Sequence, residues 1–344
     1  MSVNNNNDGD GEDRISNLTD DLLHKILSFL NTKYAVQTSV LSKRWKFLWR
    51  TLPYLDFSIW TFPAEDSEDE VEYDSDANMD SLSNFISQVI FRRLPTNLVK
   101  VCVHARTDEQ YGFLVEGLIC YAVEQNVQQL SVHSYSNSPI LLPESLFTCQ
   151  SLTALDLQAR NVEDHFIKLT KFLALPALKS LNLNGFSITG PNFDPRLFPG
   201  CPNLETLELS EILVDEHKNL CVRALNLKNL ELSFVVPDSV EDEIYRCKVV
   251  IDAPKLTTFK YYGYVPIVCS MDNLPSLDDV YFDIYSALKE EEYALQLINT
   301  CKEFRHAKSL TLSSPIQVTF FYSFCHFILL IIPCMIIELY TTVC

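Results

Sequence analysis

The chain has 344 residues, 47% of them hydrophobic, which is enough for a sizeable core and excludes global disorder. Its 45 acidic and 27 basic side chains leave a net charge of −18, a surface that would repel a phosphate backbone and so argues against nucleic acid as a partner. Only eight glycines and eleven irregularly spaced cysteines with no CxxC pair exclude phosphate-cradling loops, a zinc framework and a disulfide scaffold, so no metal or cofactor is expected and the thiols read as free.

Residues 1–12 carry neither a basic start nor an apolar run and read as a solvated tail rather than a secretory signal. Residues 13–53 differ. Thr19 can cap a helix whose first turn holds Asp20 and Asp21, where the helix dipole favours negative charge. Leu22, Leu23, Ile26, Leu27, Phe29 and Leu30 then recur at steps of three and four, a wide apolar face. Asn31 and Thr32 break the run. A short second helix carries Tyr34, Val36 and Val40, and Ser42 can cap a third with Trp45, Leu48 and Trp49 on one side and Lys43, Arg44 and Lys46 on the other. Three helices in so short a segment cannot enclose this much apolar surface, so two indoles and several leucines are expected to stay partly exposed. Such a patch marks an interface or packs on the following domain.

The blocks DRISNL (13–18), DDLLHKILSFL (20–30) and AVQTSVLSKRWKFLW (35–49) resemble a plant F-box. The family usually has proline where Thr19 and Asn31 stand. The resemblance implies docking to a Skp-family adaptor, and through it to a cullin scaffold in a ubiquitin ligase. It implies Leu18, Leu22, Ile26, Leu27, Leu30, Val36, Leu41, Ser42, Trp45 and Trp49 as the interface.

Acids occupy nine of the sixteen positions in 65–80, so 63–80 is expected to be a solvated acidic loop, with Ser67 and Ser75 each preceding an acid. Residues 81–94 place Leu82, Phe85, Ile86, Val89 and Ile90 on one helical face, and 111–124 read likewise.

Over 81–314 a unit of the form apolar-x-x-apolar-x-apolar recurs. LTALDL, LKSLNL and LETLEL are anchored on Leu155, Leu181 and Leu207, two equal steps of 26, with a second anchor at Val162, Ile188 and Val214. Weaker copies centre on Val101, Leu130, Leu230, Phe259, Val280 and Leu310, and LPYLDF at 52–57 has the same form. No single unit can bury its apolar side, so the units must stack into a solenoid with a parallel sheet. Intervening positions such as Asp156, Asn182, Glu205 and Glu208 then face outward or flank the sheet, as a readout surface. The whole reads as an α/β chain: a small three-helix F-box followed by an irregular leucine-rich-repeat solenoid, similar to plant F-box proteins with leucine-rich repeats and a C-terminal FBD module.

At 315–344 the repeat pattern stops. The 22 residues of 318–339 hold one Glu and one His and meet the length and hydropathy of a membrane span. Three readings stand: a tail anchor, terminal strands capping the solenoid, or a changed reading frame that replaces the FBD module. No HExxH, GxSxG or glycine-rich loop before a helix occurs, so no catalytic residue is expected. The resemblance implies a non-catalytic substrate adaptor of a nuclear or cytoplasmic ubiquitin ligase whose repeats bind an unidentified target protein. A repeat scaffold or truncated interaction protein that does not support ubiquitination is the alternative.

Overall fold

The computed structural model describes residues 15, 17–62, 76–108, 110–135, 140, 142–159, 173–188, 198, 200–214, 219–234, 248–263, 268–271, 274–284, 299–300, 302–313 and 336–340. Three short helices, α1 (Asp20–Leu27), α2 (Thr32–Gln37) and α3 (Trp45–Leu48), lead into strand β1 (Tyr54–Ser58). Then come α4 (Asp76–Arg92), β2 (Lys100–Ala105), α5 (Gly112–Glu124) and β3 (Gln129–Ser134). The strands described after it are β4 (Ala154–Ala159), β5 (Ser180–Ile188), β6 (Thr206–Val214), β7 (Asn219–Arg223), β8 (Asn229–Phe234), β9 (Lys248–Asp252), β10 (Thr258–Gly263), β11 (Val268–Met271), β12 (Asp279–Ile284), β13 (Ser309–Ser313) and β14 (Ile336–Tyr340). Eleven of them form one parallel sheet in the order β1-β2-β3-β4-β5-β6-β8-β10-β12-β13-β14, while β7, β9 and β11 form a second, three-stranded parallel sheet.

The repeat anchors meet in register. Leu55, Val101, Leu130, Leu155, Leu181, Leu207, Leu230, Phe259, Val280 and Leu310 are successive partners across the large sheet. All are buried, and so are the residues two positions on, from Phe57 to Leu312. Because side chains alternate along a strand, the residues between them form the opposite, half-exposed face. A turn precedes most strands, and its buried leucine (Leu178, Leu204, Leu227, Leu256, Leu277) extends the core. Asn203 and Asn226 amides donate to the carbonyls of Pro176 and Pro202 one repeat earlier, both at 2.8 Å, so the turns stack as the strands do.

The solenoid starts earlier than the sequence suggests. LPYLDF supplies β1, the first strand of the sheet, leaving no spacer between the helical segment and the repeats. The acidic loop is also shorter: residues 76–80 are the first turns of α4. There Asp76 pairs with Arg106 at 2.7 Å and Asp80 accepts a hydrogen bond from the Tyr111 hydroxyl at 2.9 Å. Residues 63–75, with Ser67 and Ser75, lie outside the described residues. The helices expected at 81–94 and 111–124 are α4 and α5, and α4 buries Leu82, Ile86 and Val89 as its periodicity requires.

The described end of the apolar tail takes the form of one of its three readings, a terminal strand on the solenoid. Its residues 336–340 form β14, paired in parallel with β13 so that Ile337 stands opposite Leu310. The end of 318–339 therefore continues the sheet and is not helix, while 318–335 lie outside the described residues. Among the described residues no helix is long and apolar enough to cross a membrane.

Gly185 shows how tight the stacking is. Its φ is +73°, a conformation that glycine adopts freely, and a Cβ there would sit 2.5 Å from the Ala159 carbonyl oxygen of the preceding strand. Gly185→Ala is expected to lower unfolding stability by about 2–4 kcal/mol, from left-handed strain plus the clash, as read from a shifted urea midpoint.

Candidate docking surface and repeat face

The helical segment has its own small core. Leu23, Leu27, Ala35, Trp45, Leu48 and Leu52 are buried together, with Leu18 and Tyr54 packed against them. Arg44 fastens the start of α1 to the entry of α3: its guanidinium pairs with Asp20 at 2.5 Å and donates to the Leu18 carbonyl at 2.6 Å. The capping differs from expectation. Thr19 precedes α1 and Ser42 lies before α3, yet neither helix has a side-chain cap; the Thr19 and Ser42 carbonyls accept from Leu23 and Lys46 instead. Asn31 does cap, its side chain accepting from the Lys33 amide at 3.0 Å.

With Leu23 and Leu27 turned inward, the side chains at i, i+4 and i+8 on another face of the same segment point to solvent. Leu22 is 51% and Ile26 43% exposed, and Leu30 follows them. Leu41 and Ser42 are exposed too. Five of the ten expected interface residues are therefore available at the surface: Leu22, Ile26, Leu30, Leu41 and Ser42. Leu18 and Val36 are half-buried.

The other three are internal. Leu27 is wholly buried, and the two indoles expected to stay partly exposed are not: Trp45 is 8% and Trp49 9% exposed. The physical reason is that two cores, not one, close over this segment. Trp45 fills the small helical core, whereas Trp49 belongs to the large repeat core, with Leu55, Met79 and Ile86. Phe29, Tyr34, Val40 and Phe47 are exposed apolar residues absent from the expected set. Their signal, an apolar side chain on a short helical segment, did not separate them from core residues.

The helical segment is joined firmly to the sheet. The Thr32 hydroxyl accepts the Asp56 amide of edge strand β1 at 2.8 Å, satisfying a group that an open edge would expose. Lys33 donates to the Thr61 carbonyl and lies over the Phe62 ring, 4.2 Å from its centroid. Arg50 donates to the Arg92 carbonyl at 2.6 Å, and the Leu94 amide donates back to Arg50 at 3.0 Å.

The half-exposed face of the sheet carries polar rows in register. Asp56, Cys102, Ser131, Asp156, Asn182, Glu208, Glu231 and Lys260 form one, and His104, His133, Gln158 and Asn184 fall in the next. Burial pushes the Asp156 carboxyl up, but hydrogen bonds from His133 (3.0 Å), Ser131 (2.9 Å) and Gln158 (3.1 Å) outweigh it and hold it low. Burial, then the nearby Glu231 and Asp156 charges, push Glu208 up. The His104 and His133 rings stack at 4.4 Å, and burial followed by that neighbour lowers His104.

Ser131, His133 and Asp156 look like a relay but are not arranged as one. The same imidazole nitrogen, His133 Nε2, lies 2.9 Å from Ser131 Oγ and 3.0 Å from Asp156 Oδ2, whereas a relay needs the two ring nitrogens to serve the two partners. Burial raises the Cys102 thiol to about 11, which keeps it from acting as a thiolate at neutral pH. The rows present carboxylate, hydroxyl, amide and imidazole groups along one face, and their Ser131–His133–Asp156 set lacks the geometry of a relay.

Comparison with known proteins accounts for both parts. Residues 15–57 match the F-box domain, and 115–271 match the leucine-rich repeats of FBD-associated F-box protein At5g56370. F-box protein At4g09920 of Arabidopsis thaliana is 31% identical over 285 residues, covering 80% of this chain and 82% of that protein. The chain belongs to the plant F-box proteins with leucine-rich repeats. FBD-associated F-box protein At4g10400 and F-box/FBD/LRR-repeat protein At5g56420, both from Arabidopsis thaliana, are 32% and 29% identical, each over 79% of this chain. The chain spans 61% and 60% of their lengths. The F-box match runs into β1, as expected of an F-box fused to its repeats without a spacer.

Proposed function

We propose that this F-box protein is a non-catalytic substrate adaptor of a Skp–cullin–F-box ubiquitin ligase in the nucleus or cytoplasm. The observation that carries the reading is the apolar stripe of Leu22, Ile26 and Leu30, with Leu41, left at the surface of an F-box that has already closed its own core. Leucine and isoleucine side chains exposed to this degree gain about 0.6–2 kcal/mol each when covered, the remaining fraction of a full side chain's burial, which together drive toward a hydrophobic partner. Leu22, Ile26, Leu30, Leu41 and Ser42 are the proposed direct contacts with a Skp-family adaptor. Leu18 and Val36 flank them, and Leu27, Trp45 and Trp49 act by holding the helices in place. The repeat face takes the target. Ubiquitin transfer then depends on proximity, the target's lysines being held at high effective concentration beside a charged partner enzyme.

Co-expression with a plant Skp-family adaptor, followed by size-exclusion chromatography with light scattering, is expected to give a one-to-one complex. Two separate monomer peaks at micromolar concentration would sink the proposal.

A further inference from the structure

On the half-exposed side of the sheet, the ends of β3 to β6 enclose a concavity of about 380 Å³, lined by His133, Tyr135, Gln158, Asn184 and Glu211 among others. Glu211 is the unusual member. Its φ is +52°, in the left-handed region that disfavours residues with a Cβ, and it sits where the pairing of β6 with β8 shifts register. One repeat earlier the equivalent position, 26 residues before, is Gly185, which has the same left-handed backbone at φ +73°. The backbone at this point of the repeat suits glycine, yet this repeat places a glutamate there.

What the glutamate supplies is a carboxylate in the concavity. Glu211 is half-buried, and burial alone holds its carboxyl above the usual range. Among the described residues no cation pairs with it and no donor reaches it. His133, on the same wall, is committed to Asp156 at 3.0 Å and to the stack on His104. The surroundings reinforce the charge: Asp156, Glu208 and Glu231 lie along one row of the same face, answered there by Lys260, 3.5 Å from Glu231. Tyr135, Gln158 and Asn184 complete the lining, an aromatic side chain and two amides.

We propose that this concavity receives a basic side chain, lysine or arginine, presented by the polypeptide captured on the repeat face. The proposal rests on the adaptor reading for the origin of that polypeptide. The incoming cation would pair with Glu211, lie against Tyr135 and donate to the amide oxygens of Asn184 and Gln158, and the negative face would draw it in. Left-handed strain at Glu211 is then a cost in the free chain that persists because the carboxylate serves binding.

The test uses the purified full-length chain and a random dodecapeptide phage library. Selected peptides are expected to share a lysine or arginine at one aligned position. The affinity of the best of them, measured by fluorescence anisotropy, is expected to fall about tenfold or more in both Glu211→Gln and Glu211→Gly, the loss of one charge-assisted contact. Glu211→Gly should melt no lower than the parent chain, because glycine suits this backbone, so lost binding cannot be blamed on misfolding. Failure to enrich basic residues, or unchanged affinity in Glu211→Gln, overturns the proposal. Adaptor affinity is measured on the same preparations, so failure of the adaptor reading and failure of the pocket are separate results.

Discussion

Replacing Leu22 and Ile26 together by aspartate is expected to weaken binding to a Skp-family adaptor by a factor of about 10² to 10⁴ while leaving the fold unchanged. That factor combines the lost burial of two half-exposed aliphatic side chains, about 0.7–1.5 kcal/mol each, with about 1–3 kcal/mol for desolvating the introduced carboxylates, at about 1.4 kcal/mol per decade of affinity. Both residues point to solvent in the free chain, 51% and 43% exposed, so neither contributes much to the core. Exposed substitutions usually move stability by less than about 0.5 kcal/mol, so the melting temperature should stay within a few degrees of the parent. Titration calorimetry against recombinant adaptor, with a thermal melt of the same sample, reads both quantities. Unchanged affinity in the double variant would remove these residues from the interface. Leu27→Ala or Trp45→Ala cannot serve the same purpose. Those side chains fill the small helical core, and each truncation would cost about 2–5 kcal/mol of stability before any partner is added.

The contrast between Leu22 and Leu27 shows where sequence reasoning stops. Both are apolar residues on one helix, and periodicity says only that they share a broad apolar surface. Which of them is covered depends on α3, and on a strand that begins only a few residues after Trp49. The repeats were more legible. A strand anchor must meet its neighbour in register, so equal spacing at 155, 181 and 207 becomes direct pairing in the sheet. The weaker copies at Phe259 and Val280 align just as well, since a stacked core selects size and apolarity more than leucine itself. The caps misled because Thr19 and Ser42 have the right chemistry without the right geometry. The tail stayed open among three readings because a run of apolar residues does not reveal its period: β14, a terminal strand, is embedded in a block whose hydropathy alone fits a membrane helix. Glu211 could have been found by laying LETLELSE on LKSLNLNG, which sets it against Gly185. The meaning of that substitution required the backbone angle.

Trp49→Ala is expected to be the most damaging single change at the junction of the two parts, yet not to alter the adaptor affinity of molecules that remain folded. The indole is 9% exposed and packs in the repeat core, so its removal should cost about 3–5 kcal/mol and be visible as a large drop in melting temperature. The carbonyl of Trp49 also accepts from the Arg93 guanidinium at 3.3 Å, a buried contact that anchors the end of α4 to the F-box. Loosening this joint should show first as faster amide exchange at the Thr32–Asp56 edge contact and in α4, before the distant strands β8 to β13 respond. Leu22 and Ile26 are exposed on α1 whereas Trp49 is buried in the repeat core, so adaptor affinity measured at 10 °C should stay within about threefold of the parent, under half of the 1.4 kcal/mol that a decade represents. Adaptor added at a hundred times its Kd should restore about 2.7 kcal/mol of stability by binding only the folded state. The opposite pattern, a tenfold loss of affinity with an unchanged melt, would place Trp49 at the adaptor interface and require the F-box to part from the repeats when it docks. The two outcomes differ in kind, because a side chain that joins two cores supports docking through stability alone, whereas one that contacts the partner supports it through affinity alone.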